Sequence, residues 1–281
     1  MADGRMSKLS KLLLTIGSSV AEEIIIGPTY TIDPAVTDQG QPKGRRFELS
    51  MKLVNSTSLF NGTGPCVSST NPSWKPSQWR QVLVQIPHTY KDGDEAPLLV
   101  LQDGGTTSST SAQLLDFVAN VQSNLHAGAD AHRTLPAFIT LAIANGGGGG
   151  ERAHEYCTMS DAYARFVEDE VLPTVLRNRS IRSVYPKLRF TSDPWGRGAM
   201  GCSDGGAAAL TMGYFRPDLY RRVAAYSPSV VNLQCEQAPE ARTYPKGGWE
   251  YHSHMKLLQT HAKPLRVFVA NSQFDLCVHS P

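Results

Sequence analysis

Asp193-Pro-Trp-Gly-Arg-Gly-Ala-Met-Gly-Cys-Ser-Asp-Gly-Gly-Ala-Ala-Ala-Leu-Thr-Met212 holds, at Gly201-Cys-Ser-Asp-Gly205, a G-x-S-x-G pattern. The pattern reads as a nucleophile elbow, a strand-to-helix turn whose central residue has a strained backbone and whose neighbours must be glycine so that strand and helix can approach. Ser203 occupies the central position. Ala199 and Met200 before it form a short strand candidate, and Gly206-Ala-Ala-Ala-Leu-Thr-Met212 after it is small and helix-favouring, as a helix packed tightly on a sheet must be. With 24 glycines in the chain, the bare pattern arises easily by chance. The strand-turn-helix setting therefore carries the argument, against the alternative of an ordinary glycine-rich βα turn.

Upstream, residues 27–45 are rich in Pro, Gly and Thr without periodicity and read as an extended lead-in. Arg46 to Val54 alternates apolar and polar side chains, as a half-buried strand does, and Arg80 to Pro87 reads as a second strand. Between them, Asn61 to Ser77 reads as a loop. Ala96-Pro-Leu-Leu-Val-Leu-Gln-Asp103 is largely apolar and runs into Gly104-Gly105, which predicts a strand buried on both faces. Ser111 to Leu125 places Leu114, Leu115, Val118, Val121 and Leu125 at helical spacing, and Leu135 to Ala144 is another buried-strand run. Five glycines, Gly146 to Gly150, follow as a flexible loop. No G-K-[S/T] follows them, so a phosphate loop is not expected. Ser160-Asp161 then opens a helix with Tyr163, Phe166, Val167, Val171 and Leu172 toward the core.

Downstream of the elbow, Tyr220 to Pro228 reads as a strand, Trp249 to His261 as a helix and Pro264 to Ala270 as a buried strand. The β–α alternation with near-continuous apolar strands predicts an α/β fold, a mainly parallel twisted sheet with helices on both faces. Residues 27–281 are read as that domain, and residues 1–26 as an N-terminal tail or helix. The run Leu12-Leu-Leu-Thr-Ile16 is shorter than a secretory apolar region, although Ser19-Val-Ala21 offers a cleavage-site reading.

A 281-residue chain with 41% hydrophobic and 19% charged residues can bury a large core. Its 27 basic and 25 acidic residues give a net charge of +2 with no basic stripe, so neither nucleic acid nor a membrane surface is an expected partner. Cys66, Cys157, Cys202, Cys235 and Cys277 are widely spaced, suggesting neither a zinc site nor a disulfide framework. The odd count leans toward a reducing, cytoplasmic setting. His252 and His254 form an H-x-H pair, but on a helix their rings splay apart, so no metal is expected. No cofactor is expected either.

The chemistry of an elbow serine needs a base for its proton and donors for a developing oxyanion. The backbone N–H of Asp204 is one donor, and the Gly104-Gly105 turn is where this architecture supplies the other, unless that turn simply ends its strand. The order of residues on such a frame is serine, acid, histidine. Asp275, shortly after the strand ending at Ala270, is placed for the acid, with a solvated loop aspartate as the plainer reading. Asp204 is the rival, but its elbow position points it away from a distant imidazole. His279 is the one histidine after Asp275 and is either the base or a surface histidine.

From about Gly27 onward the chain resembles the enterochelin-esterase-like, or esterase D-like, branch of the α/β-hydrolases. The resemblance lies in Leu101-Gln-Asp-Gly104, Glu151-Arg-Ala-His-Glu-Tyr156 leading into Met159-Ser-Asp161, Asp169-Glu-Val-Leu-Pro173, the elbow, and Pro264 to Asp275. It implies a serine carboxylic-ester hydrolase acting on a small-molecule ester, with Ser203 as nucleophile, Asp275 as acid, and backbone groups near Gly104 and at Asp204 in the oxyanion hole. Arg152 resembles the family's arginine near the substrate mouth, or else forms an ion pair with Glu155 or Asp161. Family members continue past the acid loop through a helix, a strand and a histidine loop to a closing helix, which Cys277-Val-His-Ser-Pro281 does not resemble. The expectation is a domain lacking its last strand and closing helix, with self-association through the exposed sheet edge. Two other functions share the elbow: a non-catalytic homologue that uses its cleft as a binding module, and an acyltransferase in which an alcohol competes with water.

Overall fold

The computed structural model describes residues 31–53, 56, 79–104, 109–127, 135–146, 151–233, 242–252 and 261–271. The reading of residues 1–26 as a tail or helix lies outside the described residues.

Seven strands make one sheet: β1 (Arg45–Lys52), β2 (Trp79–Ile86), β4 (Leu98–Leu101), β5 (Ile139–Ile143), β7 (Arg197–Cys202), β8 (Arg222–Tyr226) and β9 (Arg266–Ala270), in the order β1-β2-β5-β4-β7-β8-β9. β1 and β2 pair antiparallel, β2 joins β5 antiparallel, and every pairing from β5 to β9 is parallel. The two-residue strands β3 (Glu95–Ala96) and β6 (Arg189–Phe190) pair with each other separately. The sequence signal tracks position in the sheet. β1 alternates because only one face is covered, whereas β5 is buried at all five residues.

The pleat divides the core between two faces. Val82, Val84, Leu98, Val100, Ile139 and Leu141 point into a large cluster, while Leu83, Leu101 and Ala142, one residue out of phase, meet Leu115 on the other side. Leu115 lies on helix α1 (Ser109–Ala127), which covers that second face. The first face is covered by α2 (Glu151–Cys157), α3 (Ala162–Phe166), α4 (Leu172–Arg177) and, after the short α5 (Arg179–Arg182), by α6 (Asp204–Phe215). Between α3 and α4 runs a π-helical stretch, Val167–Val171. Pro173 has no N–H to return to Asp169, so the ladder shifts its pairing there instead of breaking. Tyr163, Phe166, Val167, Val171 and Leu172 are all buried, as their spacing predicts.

Three elements differ from the sequence reading. α2 begins directly at Glu151, where the sequence suggests no helix before Ser160-Asp161; its seven residues are too few to show a period. The predicted helix from Trp249 starts as a 3₁₀ segment, Gly247–His252, and residues 253–260 lie outside the described part. The strand read as buried over Pro264 to Ala270 is not: among the described residues β9 pairs only with β8, and Val267, Phe268 and Val269 are about half exposed, at 47%, 55% and 48%.

Candidate active site

β7 ends at Cys202 and α6 begins at Asp204, so Ser203 alone turns the chain, at φ 58° and ψ −128°. A non-glycine residue with positive φ stores on the order of 1–3 kcal/mol and persists only where its surroundings fix it. They do so here through the backbone. The Ser203 N–H donates to the Tyr226 carbonyl at 3.0 Å, and its own carbonyl accepts from Gly206, Ala207 and Ser229 at 2.9, 3.1 and 3.0 Å. The glycine requirement is steric: a Cβ at Gly201 would lie 2.3 Å from the Gly205 carbonyl oxygen, and one at Gly206 would lie 3.1 Å from that of Tyr226. At Gly205 a Cβ would meet side chains, Asp103 Oδ2 at 2.8 Å and Gln102 Cβ at 2.9 Å.

The Ser203 hydroxyl stands at the C-terminal end of the parallel strands, 3.1 Å from the hydroxyl of Ser229. Ser229 follows β8, the parallel neighbour of β7, through the turn Ser227-Pro228, where Ser227 also has positive φ at 41°. No local motif marks Ser229, because it reaches Ser203 through strand adjacency across 26 positions.

An ionic cluster lies beside the elbow. Arg152, on α2, donates through Nε and Nη2 to the two carboxylate oxygens of Asp103, each at 2.7 Å, and through Nη1 to Asp204 Oδ2. Asn145 Nδ2 donates to Asp103 Oδ1 at 2.7 Å, and the Asp103 backbone N–H donates to the Tyr156 hydroxyl at 3.0 Å. Asp103 itself has φ 56° in the turn after β4. The Arg152 guanidinium also lies over the Tyr156 ring, 5.5 Å from its centroid. Burial works against its charge, but Asp103 and then Asp204 outweigh that and hold the guanidinium firmly protonated. Burial, with Asp204 adding to it, pushes the nearby Cys157 thiol up to about 12.

The structure thus brings Ser203, Asp204, Gly104 and Arg152 to one end of the sheet, and it corrects two details. Arg152 pairs with neither Glu155 nor Asp161: Glu155 is held by Arg80 in the core and Asp161 by Arg165. The Gly104 N–H donates to the Ile143 carbonyl at 2.7 Å, so it is engaged in the fold and does not point at an oxyanion. The glycine is needed because a Cβ would fall 2.1 Å from the Ala142 carbonyl carbon. Asp204 N–H, by contrast, belongs to the first helical turn, whose donors have no acceptor within the helix. Gly105, Asp275 and His279 lie outside the described residues. Among the described residues no group of three His, Cys, Asp or Glu is placed to hold a metal ion, and no helix is long and apolar enough to cross a membrane.

Comparison with solved structures finds the enterobactin esterase of Shigella flexneri, 20% identical over 85% of this chain and 49% of that one, with a TM-score of 0.51. The ferric enterobactin esterase of Salmonella typhimurium is 22% identical over 81% and 47% of the two chains, TM-score 0.48. The siderophore hydrolase EstA of Aspergillus nidulans is 17% identical over 73% and 63%, TM-score 0.43. The first of these shares the α/β-hydrolase fold, and this chain spans about half the length of the two enterobactin esterases. No curated protein matches the sequence. The family model described as "Putative esterase" matches residues 73–272, which takes in β2 through β9 and the turn at Ser203, and the chain belongs to that esterase family.

Proposed function

We propose that the chain hydrolyses small-molecule carboxylic esters through an acyl-enzyme on Ser203. The observation that carries this reading is the backbone of Ser203, held at positive φ between β7 and α6 with its hydroxyl at the C-terminal end of the sheet. Ser203 Oγ adds to the ester carbonyl carbon while its proton passes to a base, and the carbonyl oxygen becomes an oxyanion facing the Asp204 N–H. Collapse of this adduct breaks the bond to the alcohol oxygen, which leaves with the proton. Water then repeats the sequence in reverse, releasing the acid and restoring Ser203. Asp275 and His279 are assigned as acid and base, on sequence order alone.

The test uses p-nitrophenyl butyrate with the wild type, Ser203→Ala and His279→Ala. Ser203→Ala is expected to abolish the burst and the turnover. Its cost in stability should be only about 1 kcal/mol, the scale of a side-chain hydrogen bond such as that to Ser229. Turnover retained by Ser203→Ala would overturn the nucleophile. Unchanged turnover in His279→Ala would remove that residue from the base position and leave Ser203 in place.

A further inference from the structure

The residue after the proposed nucleophile is an aspartate, and this poses an electrostatic problem. Its backbone N–H faces a developing negative charge, yet its side chain brings a carboxylate to the same turn, and Asp103 brings a second one from the turn after β4. An unneutralised carboxylate beside an oxyanion raises the energy of the state that the N–H stabilises.

We propose that Arg152 is a positioning residue that neutralises and holds these two carboxylates, keeping the Asp204 amide effective as an oxyanion donor, and that it is not a receptor for the substrate. The proposal rests on the esterase reading above. Three of the guanidinium's five N–H groups are directed at the pair, two in a parallel fork onto Asp103 and one onto Asp204. The fork fixes the plane of the group, and that plane is backed by the Tyr156 ring one helical turn further along α2. Tyr156 in turn accepts the Asp103 N–H, and Asn145 accounts for a further bond to Asp103 Oδ1, so the Asp103 turn is held from three sides. All three ionic side chains are largely withdrawn from solvent, with exposures of 29% for Arg152, 22% for Asp103 and 13% for Asp204, so water screens them weakly. The arrangement needs the geometry of arginine: a lysine ammonium is a single point charge and cannot fork onto one carboxylate while bonding the other.

The experiment measures kcat and KM for p-nitrophenyl butyrate, an uncharged ester, in the wild type, Arg152→Met, Arg152→Lys and the double variant Arg152→Met/Asp204→Asn. Ser203→Ala serves as the control. Arg152→Met is expected to lower kcat by about 10²-fold, the scale of losing one oxyanion donor, with KM held within about twofold. Adding Asp204→Asn removes one of the two carboxylates left without their counter-charge, Asp103 remaining, and is expected to restore kcat about tenfold of the lost hundredfold. Should Arg152→Met fail to fold, Arg152→Lys with and without Asp204→Asn reads the same rescue. A rise in KM with kcat unchanged overturns the proposal in favour of a substrate contact, and a kcat loss that Asp204→Asn does not rescue overturns the neutralising role. An inert wild type, or a Ser203→Ala variant as active as the wild type, instead overturns the esterase reading, and the proposal falls with it.

Discussion

Replacing Glu155 by Gln tests how the helix carrying Arg152 is anchored. The side chains of Arg80 on β2 and Glu155 on α2 are both 0% exposed. Arg80 Nη1 donates to Glu155 Oε2 at 2.9 Å and to the Ala144 carbonyl at 2.7 Å, while Nη2 donates to Glu155 Oε1. The guanidinium also lies over the Phe166 ring, 5.9 Å from its centroid. Burial disfavours its charge, and the Glu155 carboxylate more than offsets that, raising the guanidinium above its ordinary value. Glutamine conserves the shape and one acceptor oxygen but removes the counter-charge and turns N–H donors toward a group that has only donors. An uncompensated charge in the core costs about 3–5 kcal/mol. At roughly 2–4 °C per kcal/mol for a domain of this size, Tm should fall by about 6–20 °C. Circular dichroism melts and urea titration of the wild type and Glu155→Gln measure this. The companion double variant Arg80→Met/Glu155→Leu should lose much less than Glu155→Gln, because replacing both charges by apolar groups leaves nothing unpaired. A Glu155→Gln protein that melts within 1 °C of the wild type refutes the reasoning, since it requires either an unburied pair or an uncharged one.

Gly201→Ala should destabilise the elbow by about 1–3 kcal/mol or more, because its Cβ would strike the Gly205 backbone carbonyl; Gly205→Ala should cost less, since it meets the side chains of Gln102 and Asp103. Comparative urea melts decide this, and equal stability of Gly201→Ala and the wild type would count against the tight strand–helix approach. Cys157 should resist iodoacetamide at pH 8 while exposed Cys202 reacts, as peptide mapping would read. Because the folded pKa of Cys157, about 12, exceeds its ordinary value of 9.0, its contribution to stability is complete below pH 9 and is lost as pH rises through about 12. Equal alkylation of the two thiols at pH 8 would contradict the buried placement.

The sequence by itself determined the main strands of the sheet and the strand-to-helix turn at Ser203, because those signals are local. A parallel strand buried on both faces must be largely apolar, as Leu98–Leu101 and Ile139–Ile143 are, and a strand-to-helix turn this tight must place glycine where Gly201 stands. Only the tertiary structure decided what surrounds Ser203. Ser229 reaches it through the pairing of β7 with β8, and Arg152 reaches Asp103 and Asp204 from a helix of seven residues, too short to show a hydrophobic period. An arginine at position 152 has carboxylates close by in sequence at 155 and 161; Asp161 has its own i,i+4 partner in Arg165, but nothing local says that Glu155 will be taken by Arg80. The choice among ion-pair partners is made by distances across elements, which packing sets after the elements themselves have formed.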